Sequence, residues 1–132
     1  MRIMLLWVLL FAGVASAADG GGFDVVGVWN WSLVGGDCRE RYTYRADGTL
    51  SAESGEERLE KTYTLTGLEG GMYRLDATVT ATNGKTDCEG GLTPVGATSR
   101  IYLMPLKGGG YFTCASEDTL SCYGNAHPVR AP

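Results

Sequence analysis

Apolar and polar residues alternate along most of the chain, the pattern of β-strands that bury one face. The clearest case lies between Tyr73 and Ala81, where every second residue is apolar or aromatic and the others are charged or threonine. No segment repeats apolar residues with the 3.6-residue period of a helix over three turns. The pattern predicts seven or eight strands, within residues 25–34, 38–46, 49–54, 58–66, 72–82, 85–88, 99–106 and 111–115.

Short turns join the predicted strands. Asp47-Gly48 and Asn83-Gly84 are dipeptides that favour two-residue hairpins, so residues 85–88 are expected to pair back on the preceding strand. A meander of this size avoids exposed edges most simply by closing on itself. We therefore predict an all-β fold, an antiparallel seven- to eight-stranded up-and-down meander that closes into a barrel, with a β-sandwich as the alternative. A barrel of about eight strands has room for its own side chains or for one small ligand.

The first 18 residues have the organisation of a signal peptide. Arg2 precedes an apolar run over residues 3–14, and Ala15-Ser16-Ala17 supplies the small residues of a cleavage site. The run is too short for the roughly 20 apolar residues that span a bilayer. We expect cleavage after residue 18, no membrane insertion afterwards, and a single mature domain over residues 19–132 with a flexible C-terminal tail. The mature protein is then periplasmic or secreted.

Four cysteines remain after cleavage, and an even number in a small exported domain predicts two disulfides. Three pairings exist. We favour Cys38 with Cys88, which would join distant strands, and Cys114 with Cys122, which would close a short loop. A zinc site is disfavoured because no cysteines have ligand-pair spacing and His127 is the only histidine. We expect no metal and no cofactor.

Two segments resemble the lipocalin-like barrels of small exported bacterial proteins. Gly27-x-Trp29 resembles the N-terminal lipocalin signature, and the run from Cys38 to Leu50 resembles the second-strand hairpin, with Asp47 and Gly48 at its turn. The resemblance covers residues 24–115 and implies a calycin-type barrel that binds a ligand. In lipocalins the tryptophan closes the barrel floor beneath a basic residue, a part that the resemblance assigns here to Arg100 or Arg130.

One carboxylate shares the face of two tyrosines on the second predicted strand. Glu40 has the same parity as Tyr42 and Tyr44, and an inward carboxylate must be paired, protonated or wet. It would be either a polar anchor for a ligand or a strand-end residue bonded to a loop amide. The aromatic residues could line a pocket or fill it, and we favour filling because small barrels pack their own interiors. The candidate ligand-binding residues are Glu40, Tyr42, Tyr44, Tyr63 and Tyr73.

The opposite face of the same strand is basic, and we expect a solvated row that pairs across the hairpin. The row contains Arg39, Arg41 and Arg45, with Glu53 and Glu57 as partners.

Charge and the lack of catalytic groups narrow the function. Without Arg2, the chain has ten basic and 15 acidic residues. The resulting net charge of −5 disfavours nucleic acid as a partner. His127 precedes Pro128 in the expected mobile tail and is a poor general base. We expect a monomeric, non-enzymatic binding protein for a small apolar or amphipathic molecule. The alternative is an inhibitor or interaction module that acts on a basic exported enzyme such as a lysozyme-type hydrolase.

Overall fold

The computed structural model describes residues 22–130, and the predicted signal peptide lies outside this range. Eight antiparallel strands pair in chain order, and the first also pairs with the last, so the sheet is a closed barrel. This confirms the predicted all-β meander and is compatible with a lipocalin-like fold. No helix within residues 22–130 is long and apolar enough to cross a membrane. The strands are β1 Gly27–Leu33, β2 Arg39–Tyr44, β3 Thr49–Ser54, β4 Glu57–Gly67, β5 Tyr73–Thr82, β6 Thr98–Pro105, β7 Tyr111–Cys114 and β8 Cys122–Pro128.

The strand predicted at residues 85–88 is wrong, because residues 83–97 form a long connection between β5 and β6. Asn83 does not start a hairpin. Its Oδ1 accepts the Arg58 backbone N–H at 3.0 Å, and its Nδ2 donates to the Glu56 carbonyl at 2.9 Å, so it holds the β3–β4 turn instead.

The eighth strand is formed by residues that were expected to belong to a mobile tail. β8 closes the barrel against β1, and His127 lies opposite Asn30 in this pairing. The expectation of a mobile segment around His127 is therefore wrong.

The β2–β3 hairpin turns where Asp47 and Gly48 predict it. Gly48 has a φ of +84°, which a side-chain-bearing residue rarely adopts. The Asp47 Oδ1 accepts hydrogen bonds from the Thr49 backbone N–H at 2.9 Å and from its hydroxyl at 2.6 Å. These bonds lower the pKa of Asp47 and fix the register of the hairpin.

Aromatic side chains fill one end of the barrel, which we call the closed end. Residues 22–26 precede β1 there, and the Trp29 indole donates to the Val25 carbonyl at 2.7 Å. The Phe23 ring packs within 6.0 Å of the rings of Trp29, Tyr73 and Tyr111, measured between centroids. Trp29 thus closes this end against other aromatic residues.

Of the two basic residues considered as partners of Trp29, Arg100 is wrong. Arg100 donates to Asp76 at 2.6 Å and is more than half exposed on the outside of the barrel. Arg130 is exposed beyond the end of β8.

The opposite end, which we call the open end, carries the four connections 34–38, 55–56, 83–97 and 115–121. Disulfides join Cys38 to Cys88 and Cys114 to Cys122, as predicted. The first ties the 83–97 connection, which leaves from β5, to the start of β2. A Cβ atom on Gly55 would lie 3.1 Å from the Cys88 nitrogen, so the connection also presses on the β3–β4 turn. The 83–97 connection therefore crosses the open end.

The outward arginines do not pair as predicted. Arg45 reaches Glu60 at 3.5 Å, and Glu53 is paired with Arg58 at 3.4 Å. Glu57 does not face solvent at all; its exposed fraction is 4%. It occupies an inward position of β4 with Leu59, which explains why it is absent from the outer row.

Candidate ligand-binding cavity

A cavity of about 310 Å³ occupies the barrel interior between the aromatic residues of the closed end and the connections of the open end. Inward positions of β1 to β7 contribute to its wall, together with the 83–97 connection and Tyr123 of β8. Aliphatic side chains cover part of the wall: Leu33, Leu50, Leu75, Ala77 and Ile101. The remaining lining is aromatic and polar, so the cavity offers two kinds of surface to a bound molecule.

The aromatic part of the wall is a chain of neighbouring rings. The ring centroids of Trp31 and Tyr42 lie 6.5 Å apart, those of Tyr42 and Tyr44 6.2 Å, and those of Trp31 and Tyr123 6.3 Å. The Trp31 indole donates to the Thr113 hydroxyl at 3.1 Å, which fixes the ring orientation. The expectation that these aromatic residues fill the barrel is therefore correct only at the closed end.

The tyrosine hydroxyls in the wall stay protonated. Burial raises the pKa of Tyr111 to about 12. Burial also raises the pKa of Tyr44, and the nearby Tyr111 phenol is the second cause of this increase. Neutral phenols can both donate and accept hydrogen bonds.

Glu40 faces the cavity, as its parity predicts. Its Oε1 accepts a hydrogen bond from the Tyr42 hydroxyl at 2.5 Å, rather than from a loop amide. Burial, followed by the Glu40 charge, raises the pKa of Tyr42, so this hydroxyl remains a donor. The pair places a carboxylate at the edge of an aromatic wall, an arrangement typical of ligand pockets that combine apolar surface with a few oriented polar groups.

Three further charged residues near Glu40 were missed by the sequence analysis. Lys61 and Asp87 line the cavity, and buried Glu57 lies within the electrostatic reach of both. Burial lowers the pKa of Lys61, and Glu40 and Glu57 oppose that effect. Glu57 and Lys61 share the parity of Leu59 and Tyr63, so the signal was present in the alternation of β4.

Asp87 is held in place by its own connection. Its Oδ1 accepts the backbone N–H groups of Glu89 at 2.9 Å and Gly91 at 2.8 Å. The carboxylate is therefore fixed at the open end by short-range contacts that do not depend on a ligand.

Tyr63 and Tyr73 lie outside the cavity wall. The Tyr63 hydroxyl donates to the Arg45 carbonyl at 2.7 Å and supports the β2–β3 turn. The Tyr73 hydroxyl accepts the Phe23 backbone N–H at 2.9 Å within the closed end. Of the five candidate ligand-binding residues, the structure brings Glu40, Tyr42 and Tyr44 together in the cavity wall. Tyr63 and Tyr73 have structural roles instead.

The Cys38 and Cys88 sulfurs and a Glu40 oxygen all lie within 4.8 Å of one another. Because the two sulfurs are joined in a disulfide, neither is a thiolate that could coordinate a metal ion.

A larger hollow of about 610 Å³ lies over β4, β5 and β6 on the outside of the barrel. Exposed side chains of Thr62, Thr64 and Thr98 border it, beside the Asp76–Arg100 ion pair. It is an open groove on a solvated sheet face, whereas the interior cavity is walled by the barrel. The interior cavity is therefore the stronger candidate for a ligand.

Comparisons with known proteins supply no relative for this chain: no protein-family model matches it, and the searches of curated proteins and of solved structures gave no significant match.

Proposed function

We propose that this is an exported, non-enzymatic binding protein of the lipocalin-like type, which holds a small amphipathic ligand inside the barrel. The observation that carries the proposal is the interior cavity of about 310 Å³, since a fully packed barrel would have no place for a ligand. Ligand pockets of proteins range from about 300 to 1,000 Å³, so the ligand is a small molecule rather than a long lipid.

The composition of the wall supports an amphipathic ligand. Aliphatic and aromatic side chains provide apolar contact, while Glu40, Lys61 and Asp87 bring charges to the end that faces the connections. The apolar part of a ligand would lie toward Leu50 and Tyr111, and its polar part toward the open end. The two disulfides suit a protein that persists in an oxidising compartment.

Native mass spectrometry of the oxidised protein tests the proposal. Ser99 of β6 lines the interior cavity and also borders the outer groove, whereas its neighbour Thr98 borders the outer groove alone, so a ligand in the groove would be lost when either residue is replaced by Phe. We expect a co-purified small molecule on the wild-type protein and on the matched control Thr98→Phe, and its loss in Ser99→Phe, whose ring would enter the cavity. Equal occupancy in both variants, at unchanged thermal stability, would refute interior binding.

A second candidate is an interaction module for a basic protein such as a lysozyme-type hydrolase. Exposed apolar side chains project from the open-end connections, among them Val34, Leu92, Val95 and Leu120. The same connections contain six acidic residues and one lysine, and such a surface attracts a positively charged partner. Binding of a lysozyme, measured by calorimetry, should then be weakened by Leu120→Ser, which removes apolar contact without changing the charge, and unaffected by Ser99→Phe.

A further inference from the structure

We infer that the ligand of the interior cavity carries a positive charge, as in an amphipathic organic amine, and that the charged group lies among the carboxylates at the open end. This inference rests on the proposed function and specifies its ligand class. It depends on the charge balance of the cavity, on polar atoms that lack partners and on the aromatic wall.

The charges around the cavity are unbalanced. Glu40, Asp87 and Glu89 line it together with one ammonium, that of Lys61. Buried Glu57 adds a fourth carboxylate beside Lys61 and Asp87. With every group ionised, this end of the cavity has a net charge of −3, so its field attracts cations and repels anions.

Lys61 does not neutralise the carboxylates by direct pairing. Within residues 22–130, its ammonium forms no ion pair shorter than 4.0 Å; the ion pairs found there belong to four arginines on the outer surface. Glu57 is 4% exposed, and its Oε2 is buried without a hydrogen-bond partner among the described residues. Buried polar atoms usually have partners, so this oxygen leaves the Glu57 charge uncompensated. Glu57 is not part of the cavity wall and would act on a ligand through its field and not by direct contact.

The aromatic wall favours the same class of ligand. Trp31, Tyr42 and Tyr123 present rings next to Glu40, and the faces of such rings attract ammonium groups. The Tyr42 hydroxyl engages only Oε1 of Glu40. Oε2 is thus left to accept a hydrogen bond from an incoming ammonium group.

Three probes of nearly equal size separate charge from apolar contact. These are 2-phenylethylamine, 2-phenylethanol and phenylacetate, titrated by calorimetry into dialysed, oxidised protein at neutral pH and low salt. We expect the amine to bind about tenfold more tightly than the alcohol, because a nearby opposite charge contributes on this scale. Phenylacetate should bind most weakly of the three.

Two substitutions should change amine affinity in opposite directions. Glu40→Gln keeps an acceptor for Tyr42 but removes the charge, and should weaken amine binding about tenfold while leaving the alcohol unchanged. Lys61→Met removes the competing cation and should strengthen amine binding. The matched control is Glu53→Gln on the outer face of β3, which should change neither affinity.

The outcomes distinguish this inference from the proposed function. Equal affinities for amine and alcohol, or preference for phenylacetate, would overturn the cationic ligand while the cavity remained a binding site. Failure of all three probes to bind would overturn both. Stronger amine binding in Glu40→Gln would also contradict the inference.

Discussion

Gly124 of β8 lies against the indole ring of Trp31, and a Cβ atom at this position would overlap that ring. Because Trp31 is buried and its indole is bonded to Thr113, it has little freedom to move away. We predict that Gly124→Ala lowers the free energy of unfolding by about 2 kcal/mol, a typical cost of overpacking. Urea denaturation measures this value. The control is His127→Ala, because His127 is exposed on the same strand. If both variants lowered the stability by the same small amount, the Trp31 ring would have moved aside to make room for the new methyl group.

Glu57 predicts an unusual pH dependence. Burial raises its pKa, with Asp87 as the second cause, while the Thr93 hydroxyl and Lys61 act in the opposite direction. A raised pKa means that the ionised carboxylate destabilises the fold. This destabilisation is complete above the folded pKa, decreases as the pH falls below it, and is absent below the lower pKa of the unfolded chain. Glu57→Gln should therefore stabilise the protein by about 1 kcal/mol at neutral pH.

The stability gained by Glu57→Gln should shrink on acidification toward about pH 5. Chemical denaturation at several pH values measures this difference, with exposed Glu56→Gln as the control. A variant that is less stable than the wild type at neutral pH would show that the carboxylate is favourably paired.

The alternation predicted that a polar residue faces the barrel interior only where the neighbouring residues of the same parity were apolar or aromatic. Glu40 stands between Cys38 and Tyr42, which have the same parity, so its position was predictable. Glu57 and Lys61 have the parity of Leu59, but their charges favoured the solvated face. What the sequence does not display is the spatial closeness of Glu40, Glu57 and Lys61. Both carboxylates attract the Lys61 ammonium and so reduce the cost of burying it, although they repel each other.

At the scale of elements, the Cys38–Cys88 disulfide holds the 83–97 connection across the open end. It spans a sequence separation of 50, whereas Cys114–Cys122 spans 8. In the chain-entropy account, the longer loop restricts the unfolded chain more, with contributions of about 4 and about 2.5 kcal/mol. The double variant Cys38→Ser/Cys88→Ser should therefore lose more stability in urea than Cys114→Ser/Cys122→Ser. The reverse order would contradict this role of the first bridge.

The strand order was largely predictable, and each of the two errors has an identifiable cause. Asn83-Gly84 is a strong hairpin dipeptide, but Asn83 is bound to the β3–β4 turn and Cys88 to Cys38. Both contacts are long-range and act against local pairing. β8 was missed because Gly124 and Ala126 are its inward residues, too small to produce a clear alternation. Their size is set by Trp31 and Tyr111, which occupy the adjoining space.

At the scale of the whole molecule, the barrel has a packed end and an end with a cavity. Aromatic contacts around Phe23 and Trp29 stabilise the closed end, while the open end contains charged groups, a disulfide-bound connection and exposed apolar residues. The aromatic packing around Phe23 and Trp29 lies outside the cavity wall, whereas core residues such as Leu50 and Tyr111 form part of that wall, so a bound ligand would pack directly against the core. Closure of the sheet could be predicted from the meander. The cavity could not, because its size depends on side-chain volumes, which the alternation of apolar and polar residues does not specify.

Nuclear Overhauser contacts to bound 2-phenylethanol would show whether a small molecule binds inside the barrel, because binding of this neutral probe does not depend on the charge of the ligand. We predict contacts from the probe ring to Tyr42, Leu50 and Ile101 in the cavity wall. Contacts confined to Thr62, Thr64 and Thr98 around the outer groove, or no contacts at saturating probe, would contradict the account.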